Sequence, residues 1–211
     1  MQGPRNEQSM KTDRDPVNDQ SRQRGDAGLP ALERWAGGVG VKLFASFSSR
    51  ERVVDAFRSE AERVIALAAA VPEEVGRSPA RVRRAAGMEP SSCDWSVYMA
   101  LEHLVIVNRG ITAVIHALCA DQNPGVEIRI EDIQPHVDAG PEQIEALGRA
   151  VDRYIEIVER FGGLNCRERY LHPWFGPLTA CEWNVLAAWH NRIHRGQVQR
   201  VLRAKGFAAP R

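Results

Sequence analysis

TACEWNVLAAWHNRIHRGQVQRVLRAKG, residues 179 to 206, decides the fold class. Thr179 with Glu182 three positions on is a T-x-x-E capping box, which opens a helix by satisfying two free N–H groups reciprocally. Trp183, Leu186, Ala187, His190, Ile193, His194, Gln197, Val198 and Val201 recur at the three-and-four spacing of one helical face. Gly206 suits the left-handed residue that closes a helix. The stretch is one long amphipathic helix, and its two histidines lie on the side that must be buried.

Three further stretches show the same periodicity. One follows Ser48-Ser49, which can cap it, carries Val53, Val54, Phe57, Ala61, Val64, Ile65 and Leu67 to about Ala70, and ends at Val71-Pro72. A second starts at Asp94 as its candidate cap and runs to about Cys119. Met99, Ala100, His103, Ile106, Val107, Gly110 and Val114 form its stripe. A third follows Gly140-Pro141, with proline at the first helical position, and stops at Gly162-Gly163. No stretch has a strong strand pattern, although VEIRI, 126–130, suits a short extended piece. Four amphipathic helices predict an all-α four-helix bundle over residues 48–206. The long connections permit a crossover topology and leave room for function.

Residues 1–28 hold few apolar side chains. Arg5, Lys11, Arg14, Arg22 and Arg24 are offset by Glu7, Asp13, Asp15, Asp19 and Asp26. Such a segment buries too little apolar surface to offset its ordering entropy, and a disordered tail is expected. Residues 29–47 are more apolar but broken by glycines, and read either as a short helix or as an extended arm.

The formal net charge of +1 gives no bulk attraction to nucleic acid or to an anionic membrane. The longest apolar runs predict no transmembrane helix, and the N-terminus lacks a secretory apolar stretch. A cytoplasmic location is expected. The four cysteines form no C-x-x-C and read as reduced filler residues. Arg77, Arg81, Arg83 and Arg84 form a basic stretch that reads as a solvated loop or as an attractor of an anionic substrate.

His190 and His194 stand four residues apart, about 40° around the helix and about 6 Å along it, so both imidazoles can converge on one ion. Asn191 takes the place that a zincin fills with its general-base glutamate, which disfavours a protease of that type. Of the other histidines, only His103 sits within the apolar stripe of a core helix. His116 lies one turn past the clearest part of that stripe, His136 is in a loop, and His172 precedes Pro173. Three histidines from two helices would leave one coordination position open, as catalytic sites do. Three buried imidazoles without a metal would leave ring nitrogens in need of partners. Gln197 shares the histidine face and suits either a bond to a ligating imidazole or substrate, or a partly exposed place near the helix end. Glu102 points about 100° away from His103, and no clear carboxylate base stands beside the histidines. In HPWFG, Trp174 and Phe175 suit a lid over the bundle end or a substrate wall.

WSVYMALEHLVIVNRG (95–110) resembles the W-s-x-x-x-x-x-x-H-L opening of the second helix of the DinB-like (DinB/YfiT) superfamily of metal-binding four-helix bundles. HPWFGPLTACEWNVLAAWHNRIHRGQVQRVL (172–202) resembles that superfamily's H-P-x-F-G-x-L-T-x-x-E-W…W-H-x-x-x-H-x-x-Q ending. The resemblance implies an up-down-down-up bundle, often dimeric, with His103, His190 and His194 as the ligands of zinc or nickel. It implies a metal-dependent enzyme that activates a low-molecular-weight thiol, as an S-transferase, or water, as a hydrolase, toward a small electrophilic substrate. The alternative is a non-catalytic metal-binding or dimerising bundle.

Overall fold

Each long periodic stretch is a helix in the computed structural model, which describes residues 28–125 and 129–207. Helix α1 spans Ala31–Phe47, α2 Arg50–Ala69, α3 Glu73–Arg77, α4 Val97–Cys119, α5 Glu142–Arg160 and α6 Ala180–Ala204. Short 3-10 turns cover Pro90–Asp94 and Ile130–Ile133, and strands β1 (Arg169–His172) and β2 (Gly176–Thr179) form a hairpin. The tail expected over residues 1–28 lies outside the described residues except for Gly28, and so does most of VEIRI, whose Ile130 opens a 3-10 turn.

The local signals account for most helix ends. The Ser49 hydroxyl accepts the Arg52 N–H at the start of α2. At α6, Thr179 Oγ1 accepts from the Glu182 N–H at 3.3 Å, and the Glu182 carboxylate accepts from the Thr179 N–H at 2.8 Å. Gly206 takes φ 81° just past the end of α6, the left-handed conformation that glycine adopts without strain. The start of α4 differs from expectation. Asp94 ends the preceding 3-10 turn and pairs with Arg81, while Ser96 caps α4 by accepting the Met99 N–H at 3.1 Å. Two candidate caps stand two residues apart there, and the proline-led turn takes up the first.

α2, α4, α5 and α6 are the bundle. α2 packs on α5 and α6, and α4 packs on the same two, so α2 and α4 face each other across a diagonal. The chain crosses from α2 to α4, a move that no tight turn achieves, and the long connection through α3 makes it. Phe57, Tyr98, Leu101, Tyr154 and Trp183 fill the centre. The Phe57 and Tyr154 rings stack at 3.9 Å, and the Tyr154 hydroxyl donates to Asn184 Oδ1 at 2.5 Å. Each such buried apolar side chain contributes roughly 1.5–3 kcal/mol. Among the described residues α4 alone is long and apolar enough to cross a membrane by composition, and 67% of its most apolar stretch is buried inside the bundle.

Residues 31–47, open in sequence between helix and arm, form α1 against α6. The glycines that interrupt its pattern mark close approach: a Cβ at Gly37 would meet the Phe175 ring at 2.8 Å, and one at Gly40 the Trp189 ring at 3.0 Å. The hairpin pairs Arg169 with Thr179 and His172 with Gly176. Its strands are four residues each, too short for an alternation to stand out in the sequence.

Candidate metal centre

His103 comes from the second turn of α4, and His190 and His194 from successive turns of α6. One ring nitrogen of each lies within 4.8 Å of the others, and His103 Nε2 is 3.1 Å from His190 Nε2. His103 and His194 are 3% and 4% exposed. Trp95 lies against the cluster, its ring 4.9 Å from His103 and stacked 6.1 Å from His194.

The outer nitrogens explain the orientation. His103 Nδ1 is 2.7 Å from the Ile133 carbonyl, and His194 Nδ1 is 2.6 Å from Gln197 Oε1. Each oxygen can only accept, so each Nδ1 carries its proton, and the lone pair of each neutral ring is on the inward Nε2. Gln197 is fully buried rather than partly exposed, and its amide donates to the Ser92 carbonyl at 2.6 Å, which fixes which end faces His194. His190 Nδ1 is buried and has no hydrogen-bond partner among the described residues.

Burial holds all three imidazoles neutral. It brings His103 down to about 4 and His194 to about 3, the latter with a contribution from His103. His190 lies well below its ordinary value, through burial first and then its imidazole neighbours. Neutral rings are the form that binds a cation. Inward lone pairs on His103 and His194, whose outer Nδ1–H groups are held by oxygens, together with His190 Nε2 beside them and no oxygen among the described residues fixing the His190 proton, fit a divalent metal in this low-dielectric site.

The cluster opens on a cavity of about 330 Å³. Trp95, Trp174, Phe175, Trp183 and Ile193 contribute apolar wall. Trp174 and Phe175 therefore face the cavity as wall, the second of the two roles their sequence suits. His172 stands apart from the cluster. Its Nδ1 accepts the N–H groups of Trp174 and Phe175 at 3.1 and 3.3 Å, and its ring stacks on Phe175 at 4.7 Å. Burial brings it to about 4.

The sequence places no clear carboxylate beside the histidines, and the metal cluster itself holds none among the described residues, but the wider cavity does contain carboxylates. Glu89 and Asp132 line the same cavity, the first from the loop before the Pro90–Asp94 turn and the second from the 3-10 turn Ile130–Ile133. Glu89 is buried, accepts from Gln134 Nε2 at 3.2 Å and from the Ser91 hydroxyl at 3.3 Å, and burial pushes its carboxyl above the usual range. No periodic pattern marks a loop residue between Met88 and Pro90. Glu102 does point elsewhere, accepting the backbone N–H and Nδ1–H of His136. His116 packs edge-on against Phe161, away from the cluster. In the basic stretch, Arg77 pairs with Glu73 within α3 and donates to the Asp138 carbonyl at 3.1 Å, Arg81 pairs with Asp94 at an exposed position, and Arg84 ties the loop to Glu33 of α1.

The fold and this site define a class: a four-helix bundle with a three-histidine cluster lining a cavity. Among solved proteins the chain is similar to TT2238, a four-helix bundle protein, at 19% identity and a TM-score of 0.53, over 72% of this chain and 98% of that one. That likeness concerns the fold. No family model matches the chain, and no curated protein matches it significantly.

Proposed function

We propose that the chain is a DinB-like metal-dependent enzyme, with His103, His190 and His194 holding one Zn²⁺ or Ni²⁺ and a small-molecule substrate in the adjoining cavity. The observation that carries this is the convergence of three neutral imidazoles within 4.8 Å in the lining of that cavity. A bound divalent cation lowers the pKa of a coordinated thiol or water and so supplies a nucleophile at neutral pH. The chain's own residues do the rest. Ile133 and Gln197 hold two imidazoles in register, and the aromatic wall excludes bulk water and favours an apolar electrophile. The buried Glu89 carboxyl supplies a proton-transfer group to a water route, while a thiol route needs none. The thiol of an S-transferase and the water of a hydrolase are thus both served. The reading places the protein in the cytoplasm, with neither nucleic acid nor membrane as partner.

The test is metal analysis of protein purified without a histidine tag, for wild type and His194→Ala, followed by cellular thiols against a panel of electrophiles. About one metal per wild-type chain and triad-dependent turnover support the proposal. Equal, near-zero metal in both proteins sinks it. Metal without turnover leaves the non-catalytic metal-binding bundle.

We also propose self-association through α1, on a separate observation. Leu32, Trp35, Val39, Leu43 and Phe47 form one stripe on that helix, and Leu32, Trp35 and Phe47 are 74%, 68% and 83% exposed. With about 150–250 Å² per aromatic side chain, the stripe offers on the order of several hundred Å², comparable to one side of a standard interface. Residues 1–27 contain only Met1, Met10, Val17 and Ala27 as apolar side chains and cannot match it. A second copy presents the same stripe.

A further inference from the structure

The three-histidine site uses none of the cysteines, yet two of them meet far from each other in sequence. Cys119 is the last residue of α4, and Cys166 lies in the loop between α5 and β1. Their sulfurs are 2.9 Å apart. Even carbon atoms, which are smaller, settle at about 3.5–4.0 Å when not bonded. A disulfide needs about 2.05 Å, so closure requires the sulfurs to move by less than 1 Å on that scale. Neither residue belongs to the histidine cavity.

We propose that Cys119 and Cys166 form an intramolecular disulfide when the protein meets a low-molecular-weight disulfide, and that the cross-link fastens both ends of the segment that orients His103.

Three features of the surroundings support this. Both residues are half-buried rather than enclosed in the core, unlike the buried Cys93. The loop that presents Cys166 is anchored by Leu164, a buried leucine held at φ 54°, and the Cys166 sulfur also contacts the Leu164 carbonyl at 3.7 Å. At the other side, Gln122 N–H donates to the Ala117 carbonyl at 2.9 Å, closing the end of α4 beside Cys119. The two sulfurs are therefore presented by organised backbone on each side.

The chemistry balances. A protein thiolate attacks one sulfur of the reagent R–S–S–R, forming a mixed disulfide and releasing R–S⁻. The neighbouring protein sulfur then attacks the mixed disulfide, forming the Cys119–Cys166 bond and releasing the second R–S⁻. The two thiol protons of the protein leave on the two released thiols, so two protein thiols are oxidised and one reagent disulfide is reduced. Cys119 is held protonated, pushed up to about 12 by burial, by its contact with Cys166 and by the Asp121 carboxylate. That leaves the first attack to Cys166, and Cys119 makes the second through its minor thiolate fraction, its proton passing by way of solvent to the released R–S⁻. Nothing there stabilises a Cys119 thiolate, so the reduced form gains no advantage over the cystine, unlike strongly oxidising pairs whose reduced form is stabilised.

The bridge would enclose residues 120–165. That segment contains the turn Ile130–Ile133, whose last carbonyl accepts from His103. Cross-linking a loop of this length raises the melting temperature of a chain this size by on the order of 10 °C.

The full-length protein is incubated with oxidised glutathione, remaining thiols are alkylated, and peptides are mapped by mass spectrometry without reduction. The expected product is one peptide pair joining Cys119 to Cys166, lighter by two hydrogens, with Cys93 and Cys181 alkylated. Oxidised wild type should melt on the order of 10 °C above reduced wild type. Cys119→Ser and Cys166→Ser, two variants at independent positions, should each lose both the cross-link and the shift. Absence of the cross-link, a bridge from Cys166 to Cys181 instead, bridges only between chains, or an oxidised protein that melts with the reduced one would each overturn the proposal.

Discussion

Gln197 accepts from His194 Nδ1 at 2.6 Å while its own amide donates to the Ser92 carbonyl at 2.6 Å, so a 3-10 turn outside the bundle sets the direction of an imidazole within it. Losing the Gln197 oxygen frees that ring to rotate. Gln197→Leu is expected to weaken metal binding about 10–100-fold, the range for loss of a partner to a ligating histidine. Gln197→Glu, which keeps an acceptor, should lose less. Competition against a chromogenic chelator measures both, and equal affinities in all three proteins would remove Gln197 from the site.

Acid should destabilise the metal-free protein in a defined window. Unfolded imidazoles take up protons as the pH falls below about 6.5. Folded His103 and His172 do so only near about 4, and His194 near about 3. Between those values the unfolded chain binds more protons, so stability falls with pH there, whereas above 6.5 both states are neutral and nothing changes. For His103 the shift from 6.5 to about 4 corresponds to roughly 3 kcal/mol. Melting temperature followed from pH 8 to 4.5 should be flat and then drop steeply. A flat profile throughout would show the imidazoles to be solvated.

Glu89 tests the opposite sign on a carboxyl. Its folded value is raised by burial, so ionising it in the folded state costs stability at neutral pH. Glu89→Gln keeps acceptor and shape without the charge. It should raise the melting temperature at pH 8 by a few degrees and leave it unchanged near pH 4. If the cavity carboxyl also serves a hydrolytic route, the same variant lowers water-dependent turnover and spares thiol conjugation.

Trp35→Glu places a charge in the middle of the exposed α1 stripe. Sedimentation velocity should show wild type as a dimer at micromolar concentration and the variant as a monomer with an unchanged melting temperature when diluted. A wild type that stays monomeric at high concentration removes the second copy as the occupant of that face.

The sequence by itself determined the elements and the inward side of the decisive one. Thr179 with Glu182, the three-and-four spacing through Val201, and Gly206 act within a few residues, and local hydrogen bonding follows local order. The buried placement of His194 follows from the same periodicity, and the stripe on α4 marked His103 as the third member. Tertiary structure alone decided what lies around them. The Ile133 carbonyl reaches His103 across 30 residues, Gln197 reaches Ser92 across 105, and the Cys119 and Cys166 sulfurs meet across 47. Glu89 enters the cavity on a loop, and the 169–179 hairpin covers it with strands too short to show a period. Those relationships depend on how helices close around a shared core, and no spacing along the chain encodes a contact between loops that only the closed bundle brings together.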